Sequence, residues 1–512
     1  MRRVFDRLIQ NKIFKSSAGL LTITLIVKLL GYVEKLVLAK YYGTSYQVDV
    51  YTMVVTLVLS IFFFFREIVE PGFLNVFLDA KSKGDESGSW GLFNKCLRLI
   101  FFITLVISVA SFIFPQSFVI VFAPGFEGVK LKLSEELIRI AIPASIFLAI
   151  STLTSITLNG LKIFVLPASG ELAFKGLIIV CMILFYKQYG IIGAGIGILI
   201  GSVGRLVVHL TKLYKKISFK KIEVESKYKR RIWQLTWPLL LGVSFSQISS
   251  LIDNILASYL QEGAIAALSY ARKVVELPVI IFPYVISVVI FPYFTQLSVE
   301  KNLEKLKDLL ANSLKWIVIV FLPIAAFFFV FSTPLIEIIF ERGAFNAAST
   351  ILTARPLMVY SLGLVFFAIE TILVIFYYAN ADTKTPVFVG MICVVLHIAL
   401  SLVLIKIMGY IGIALSFVIQ KSVKNLVLLY LVRQKVSYRM PDIWHFLIKI
   451  LLSFLVFIAI ILFGNMLLYN FIDHKLVDKI GIMVLSSAIG GYLYILILQK
   501  TGLIESRGVI KD

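Results

Sequence analysis

Charge is scarce in this chain, and negative charge scarcer still. Of 512 residues only 15% are charged, 50 basic against 29 acidic, while 59% are hydrophobic. Mean hydropathy is +0.95. A soluble chain of this length needs far more polar surface, so a water-soluble globular fold is excluded. Cysteine is nearly missing. Cys96, Cys181 and Cys393 have no CxxC spacing, so no disulfide framework or zinc site is expected, and they read as small apolar packing residues. No HExxH, GxSxG or Walker pattern is present, which removes the usual hydrolase and ATPase signatures. Nor is there the large outer loop of a membrane polymerase or ligase; the longest, about Pro115 to Glu135, is mostly apolar residues and glycine. The expectation is a protein that is not an enzyme.

What is present is a succession of continuous apolar runs. Each is long enough for a membrane helix, which needs roughly 20 mostly apolar residues. The runs do not alternate, so they are helices rather than barrel strands. Hydropathy places about 14 spans, at 16–41, 47–78, 92–114, 136–160, 163–186, 189–211, 232–260, 264–297, 310–332, 350–379, 385–407, 409–433, 443–469 and 478–499. The opening MRRVFDRLIQNKIFK lacks a long apolar segment before a cleavage site. It is expected to stay on the chain, as a basic amphipathic lead-in (residues 1–15) on the cytoplasmic surface. The net charge of +21 invites a nucleic-acid partner, but its distribution argues otherwise. With an inside N-terminus, roughly 26 Lys/Arg fall inside and about 5 outside. The basic linker 212–231 then sits in the cytoplasm against anionic lipid, both termini lie inside, and 500–512 is a cytoplasmic tail. Membrane lipids are the expected partners, nucleic acid is not, and a monomer is expected.

The chain repeats itself. At an offset of about 219 residues, Glu34 meets Asp253, Tyr51 meets Tyr270, Pro167 meets Pro386, and Gly190 and Gly193 meet Gly409 and Gly412. The fold expected is an all-α polytopic membrane protein of two parallel six-helix repeats, 16–211 and 232–434, followed by two additional helices at 443–499. An even number of spans per repeat gives both halves one orientation. Parallel repeats of this kind build alternating-access transporters with the site between the lobes.

Ionisable residues within spans cost a few kcal/mol each by insertion scales, and so normally face a cavity or a partner. The first span carries Lys28, Glu34 and Lys35; the second opens near Asp49 and holds Arg66, Glu67 and Glu70; the eighth carries Arg272, Lys273 and Glu276. Lys28 and Lys35 are about two turns apart on one face. Arg272 and Glu276, like Arg66 and Glu70, are one turn apart. Two readings stand. They are internal ion pairs, or they form a cationic cavity for a pyrophosphate, which guanidinium forks and lysine point charges bind well. Asp253 in mid-span seven and His397 in mid-span eleven are the candidate ion-coupling residues, with a hydrogen-bonded structural role the alternative for His397. Lys421 and Lys424, and Glu171 and Lys175, read as structural pairs or snorkelling ends.

Three stretches carry a family resemblance. They are ERGAF (Glu341 to Phe345) followed by a long apolar span and ADTKTP (Ala381 to Pro386); GVSFSQISSLIDNILASYLQEG (Gly242 to Gly263); and YARKVVELP (Tyr270 to Pro278). In this order and spacing they resemble the MurJ/MviN family of flippases, which carry lipid-linked cell-wall precursors across bacterial membranes. The resemblance runs from about residue 16 to about residue 434. The family's first-span pattern resembles S-R-x-L-G-x-x-R-D, and this chain has V-K-L-L-G-Y-V-E-K, with Lys28 for the first Arg and Glu34 and Lys35 in swapped order. Asp49 matches a family Asp. The family's paired arginine later in that span falls near Phe62 and Phe63, one turn before Arg66. Arg272 and Lys273 stand where the family has Asp and Arg, and Glu370 where its tenth span has Arg. His397 and Ser401 replace the family's Asn and Asp, leaving a carboxylate sodium site incomplete.

The resemblance implies a flippase for an undecaprenyl-pyrophosphate-linked saccharide, with lipid II the first assignment. An O-antigen or exopolysaccharide carrier, or a multidrug exporter of the same superfamily, is the alternative. Substrate-binding candidates are Lys28, Glu34, Lys35, Asp49, Arg66, Arg272, Lys273 and Glu276. No cofactor or metal is expected; coupling is to sodium, protons or the membrane potential. The location implied is the bacterial cytoplasmic membrane, and the extra helices would form a groove for the lipid tail.

Overall fold

The computed structural model describes residues 12–218, 228, 230–234, 236, 249, 251–436, 443–470 and 476–504. Among these the chain is helical, with no strand. The linker expected at 212–231 and the span expected at 232–260 lie largely outside the described residues.

The helices are α1 (Lys12–Tyr42), α2 (Tyr46–Ser82), α3 (Glu86–Ile113), α4 (Pro115–Phe122), α5 (Gly128–Ala141), α6 (Ala144–Gly160), α7 (Val165–Tyr189) and α8 (Ile192–Leu213). Then follow α9 (Ala264–Val299), α10 (Leu303–Val330), α11 (Ser332–Phe340), α12 (Ala347–Leu362), α13 (Leu364–Ala379), α14 (Lys384–Met408), α15 (Tyr410–Val436), α16 (Ile443–Asn470) and α17 (Leu476–Lys500). Caps set several starts. The Asp85 side chain accepts from Gly88 N at 2.7 Å, Asn302 from Lys305 N at 3.2 Å, and Asn346 from Ser349 N at 3.0 Å.

Nine described helices are long and apolar enough to cross a membrane, or eleven if each of two bent pairs counts as one span. The expected 14 spans are not all recovered among the described residues. Two expected spans are broken: α5 and α6 bend by 41° at Pro143, and α12 and α13 by 50° at Gly363. Proline removes a helix donor and clashes with the preceding turn. The expected first span corresponds to α1 and the expected eighth to α9.

The repeat is visible in the backbone. Both ends of α14 lie 219 residues beyond those of α7, and each helix ends on a glycine of unusual conformation, Gly190 at φ 55°, ψ −138° and Gly409 at φ 59°, ψ −139°. Only glycine enters this region without steric cost. Lys162 and Ala381, repeat mates in the turns before α7 and α14, both have positive φ, 64° and 57°.

Contacts divide the chain into two units, Met1–Ala266 with Arg342–Phe345, and Ala267–Glu341 with Asn346–Asp512. In the first, Phe65, Phe73, Phe77, Phe93 and Leu153 form an aromatic-rich core between α2, α3 and α6. Helices α7 and α8 approach closely through glycines: a Cβ on Gly201 would lie 2.7 Å from the Phe174 carbonyl. Lipid offers little hydrophobic drive between helices, so such small-residue contact is what holds them. In the second unit α16 and α17 pack on α10 and α11 through Phe331, Ile450, Phe457, Ile461 and Leu498. Tyr494 Oη donates to the Ile319 carbonyl at 3.0 Å, and Lys479 meets Glu337 at 2.6 Å.

Candidate functional site

In the first unit the charged residues build a chain of ion pairs across α1, α7 and α8. Glu34 turns toward α7, where Lys175 Nζ reaches its Oε2 at 2.6 Å. One turn earlier on α7, Glu171 takes Arg205 of α8 at 2.5 Å. The Arg205 guanidinium also lies 4.8 Å from the Phe62 ring centre. The position near which the family's second-span arginine falls thus holds a ring beneath an arginine from another helix. One turn on from Arg205, His209 is fully buried and its Nδ1 shares a 2.8 Å hydrogen bond with Thr154 Oγ1. Glu171 and Lys175, read from sequence as structural pairs or snorkelling ends, are each in an ion pair with a residue of another helix.

Asp49 has a different task from the one expected. It is 2% exposed, and its two oxygens accept from Gly263 N at 2.7 Å and Ala266 N at 2.9 Å. A carboxylate at a helix start satisfies donors that have no partner within the helix. Lys130 approaches it at 4.0 Å. Nearby, the ERGAF segment docks on the end of α1, with Ala344 N donating to the Lys40 carbonyl at 2.8 Å. Arg66 pairs with Glu70 at 3.7 Å on a face where both side chains are half exposed, 55% and 50%. Lys28 is exposed and Lys35 partly buried on α1, and Asp253 is partly buried in the helical stretch 251–258.

In the second unit the cations gather around two carboxylates. On α9, Arg272 Nε lies 3.3 Å and Lys273 Nζ 3.9 Å from Glu276. On α13, Glu370 receives two lysines of α15, Lys421 at 2.7 Å and Lys424 at 2.6 Å. Arg272 stacks 4.3 Å from the Phe417 ring centre. His397 is fully buried on α14, edge-on to Phe417 with centroids 6.1 Å apart. Ser401, where the family has a carboxylate, shares a 2.6 Å hydrogen bond with Ser416. The Glu370–Lys421–Lys424 cluster escaped the sequence reading, which took the two lysines as structural. Its signal was present: Glu370 departs from the family's arginine, and the lysines three apart share a helical face.

Apolar helical spans with charged side chains inside them define a polytopic membrane protein. The comparisons specify the family. A family model described as "Lipid II flippase MurJ" matches residues 38–479, and the chain belongs to that family. The "Probable lipid II flippase MurJ" of Buchnera aphidicola subsp. Schizaphis graminum is 25% identical over 500 residues, covering 96% of this chain and 97% of that one. A solved structure titled "Lipid II flippase MurJ, inward closed conformation" superposes with a TM-score of 0.79 at 25% identity, over 94% of this chain and 98% of that one. An inward-facing multidrug resistance MATE family transporter of the MOP superfamily gives 0.71 at 14% identity, over 82% and 98%, and shows the shared fold alone.

Proposed function

We propose that this chain is a lipid II flippase. It moves the undecaprenyl-pyrophosphate-linked peptidoglycan precursor from the inner to the outer leaflet of the bacterial cytoplasmic membrane by alternating access. The carrying observation is the match to the flippase family over residues 38–479, joined by a MurJ fold over nearly the whole chain. The chemistry supports it. Lys28, Lys35, Arg272 and Lys273 are cations on apolar helices, where ionisable groups face a partner or a substrate pathway. Arg272 offers a planar fork for phosphate oxygens, and the lysines act as point charges. Glu276 holds Arg272 and Lys273 in place from one turn away. Arg66, paired with Glu70, stands as a further headgroup contact.

Turnover draws on sodium, protons or the membrane potential, with Asp253 the leading coupling residue and His397 second. The protein works as a monomer with both termini in the cytoplasm, and α16 and α17 receive the lipid tail. The test is complementation. Expression of this chain in a strain depleted of its own lipid II flippase must restore growth and cell shape. If it restores O-antigen or exopolysaccharide export instead, the substrate is another polyprenyl-linked saccharide.

A further inference from the structure

We infer that Lys421, with Arg272, forms a phosphate-binding subsite inside the second unit, and that Phe417 fixes the geometry of both cations. The inference rests on the lipid II reading above and names the residues that would meet the diphosphate.

A cavity of about 180 Å³ lies within this unit, lined by Arg272, Glu276, Tyr360, Phe367, Phe417 and Lys421, with Glu370, Val275 and Val279 completing it. That is many times the roughly 10–15 Å³ one water requires. Phe417 is the platform. Arg272 lies 4.3 Å and Lys421 5.5 Å from its ring centre. The ring itself is held by Tyr360 and Phe367, with centroids 6.0 and 5.5 Å away. Cations held against a packed ring lose little further freedom when an anion arrives, which is the condition for tight recognition.

Glu370 supplies the second argument. Its carboxylate is shared: Lys424 takes Oε1 at 2.6 Å and Lys421 takes Oε2 at 2.7 Å. Lys424 approaches from the side of Gly390, where a Cβ would meet its Nζ at 3.6 Å, while Lys421 lines the cavity. One carboxylate between two ammoniums leaves a net positive charge, and the cavity-lining member carries it toward an incoming anion.

The repeat supplies the third. Lys424 has a counterpart 219 residues earlier in Arg205, also paired to a carboxylate, so a buried cation at this depth belongs to the shared framework. Lys421 has none; its counterpart is Ser202. The counterparts of Arg272, Glu276, Phe367, Glu370 and Phe417 are Met53, Leu57, Leu148, Ser151 and Ile198. All five are buried, as is Ser202. The first repeat closes this layer with small or apolar side chains. The second opens it, lines it with aromatics and places charge there. Packing does not demand that difference, whereas an anionic ligand does.

The test uses the full-length protein in phosphatidylcholine nanodiscs, with lipid II as the titrated ligand. Lys421→Gln should raise the lipid II Kd by about tenfold or more (~1.4 kcal/mol), and Lys421→Arg should stay close to the parent. Glu370→Gln separates ligand from scaffold. It removes the same ion pair but keeps the cation, so binding should be equal or tighter. If Glu370→Gln and Lys421→Gln weaken binding alike, Lys421 is a structural partner and the subsite is refuted. Unchanged binding in Lys421→Gln, with a parent that binds and complements, refutes it equally. A parent that neither binds lipid II nor complements refutes the flippase reading instead. Nanodiscs containing phosphatidylglycerol identify the anion's source. Displacement of lipid II from the parent by that lipid assigns the site to bulk phospholipid and overturns the proposal; no displacement supports it.

Discussion

Separating Glu34 from Lys175 should unfold the first unit more readily, and by an amount the geometry sets. The pair closes at 2.6 Å, with side-chain exposures of 6% and 20%. Removing one partner of a buried ion pair costs about 3–5 kcal/mol, because the other charge stays desolvated. Lys175→Met leaves the Glu34 carboxylate deprived of this cation beside α7. Glu34→Gln is milder, since Lys175 retains Glu171 one turn away on the same helix. A domain of this size loses roughly 2–4 °C of melting temperature per kcal/mol. Lys175→Met should therefore melt roughly 6–12 °C below the parent, taking the lower end of the energy range. Replacing both, as Glu34→Gln with Lys175→Met, removes both charges of the pair and should recover most of the loss. Thermal unfolding in detergent, followed by intrinsic fluorescence, reads all three. Equal melting of parent and single variants would show the pair to be energetically idle. A double variant worse than either single would show that the charges act separately.

Asp49→Ala should lower stability by about 1–3 kcal/mol, because the Gly263 and Ala266 amides lose their acceptor in a buried place; the same melting assay decides it, and an unshifted curve would count against the capping role. Lys35→Gln and Arg272→Gln should abolish flipping while leaving membrane insertion intact, and full activity in both would remove them from the headgroup site. Asp253→Asn should slow flipping strongly and alter its sodium or pH dependence, with His397→Gln milder; normal turnover and unaltered ion dependence in Asp253→Asn would end its coupling role. Outside-only thiol labelling should reach Glu262→Cys and miss Ser226→Cys, which lies outside the described residues, and the reverse pattern would invert the topology.

Composition and periodicity were enough to establish the class of molecule, for a physical reason. In lipid every backbone group must be satisfied within its own segment, so a long apolar run has one outcome, a helix. The repeat was legible for a similar reason: Gly190 and Gly409 are needed where the backbone enters a region closed to other residues, and Pro167 and Pro386 stand in the first turn of the helices those glycines end. Which residues carry charge inside the spans was also legible, since each departs from an apolar background. What they face was not. Glu34 reads the same in sequence whether it turns to a cavity or to Lys175, and Asp49 whether it binds a ligand or caps Ala266. Those choices depend on helix rotation and on which helices become neighbours, and residues 141 or 217 positions apart carry no local trace of meeting. Span breaks at Pro143 and Gly363 were hidden too, because hydropathy sums composition and is blind to direction. Only packing decided that Glu370 would hold two lysines and that Phe417 would lie beneath both Arg272 and Lys421.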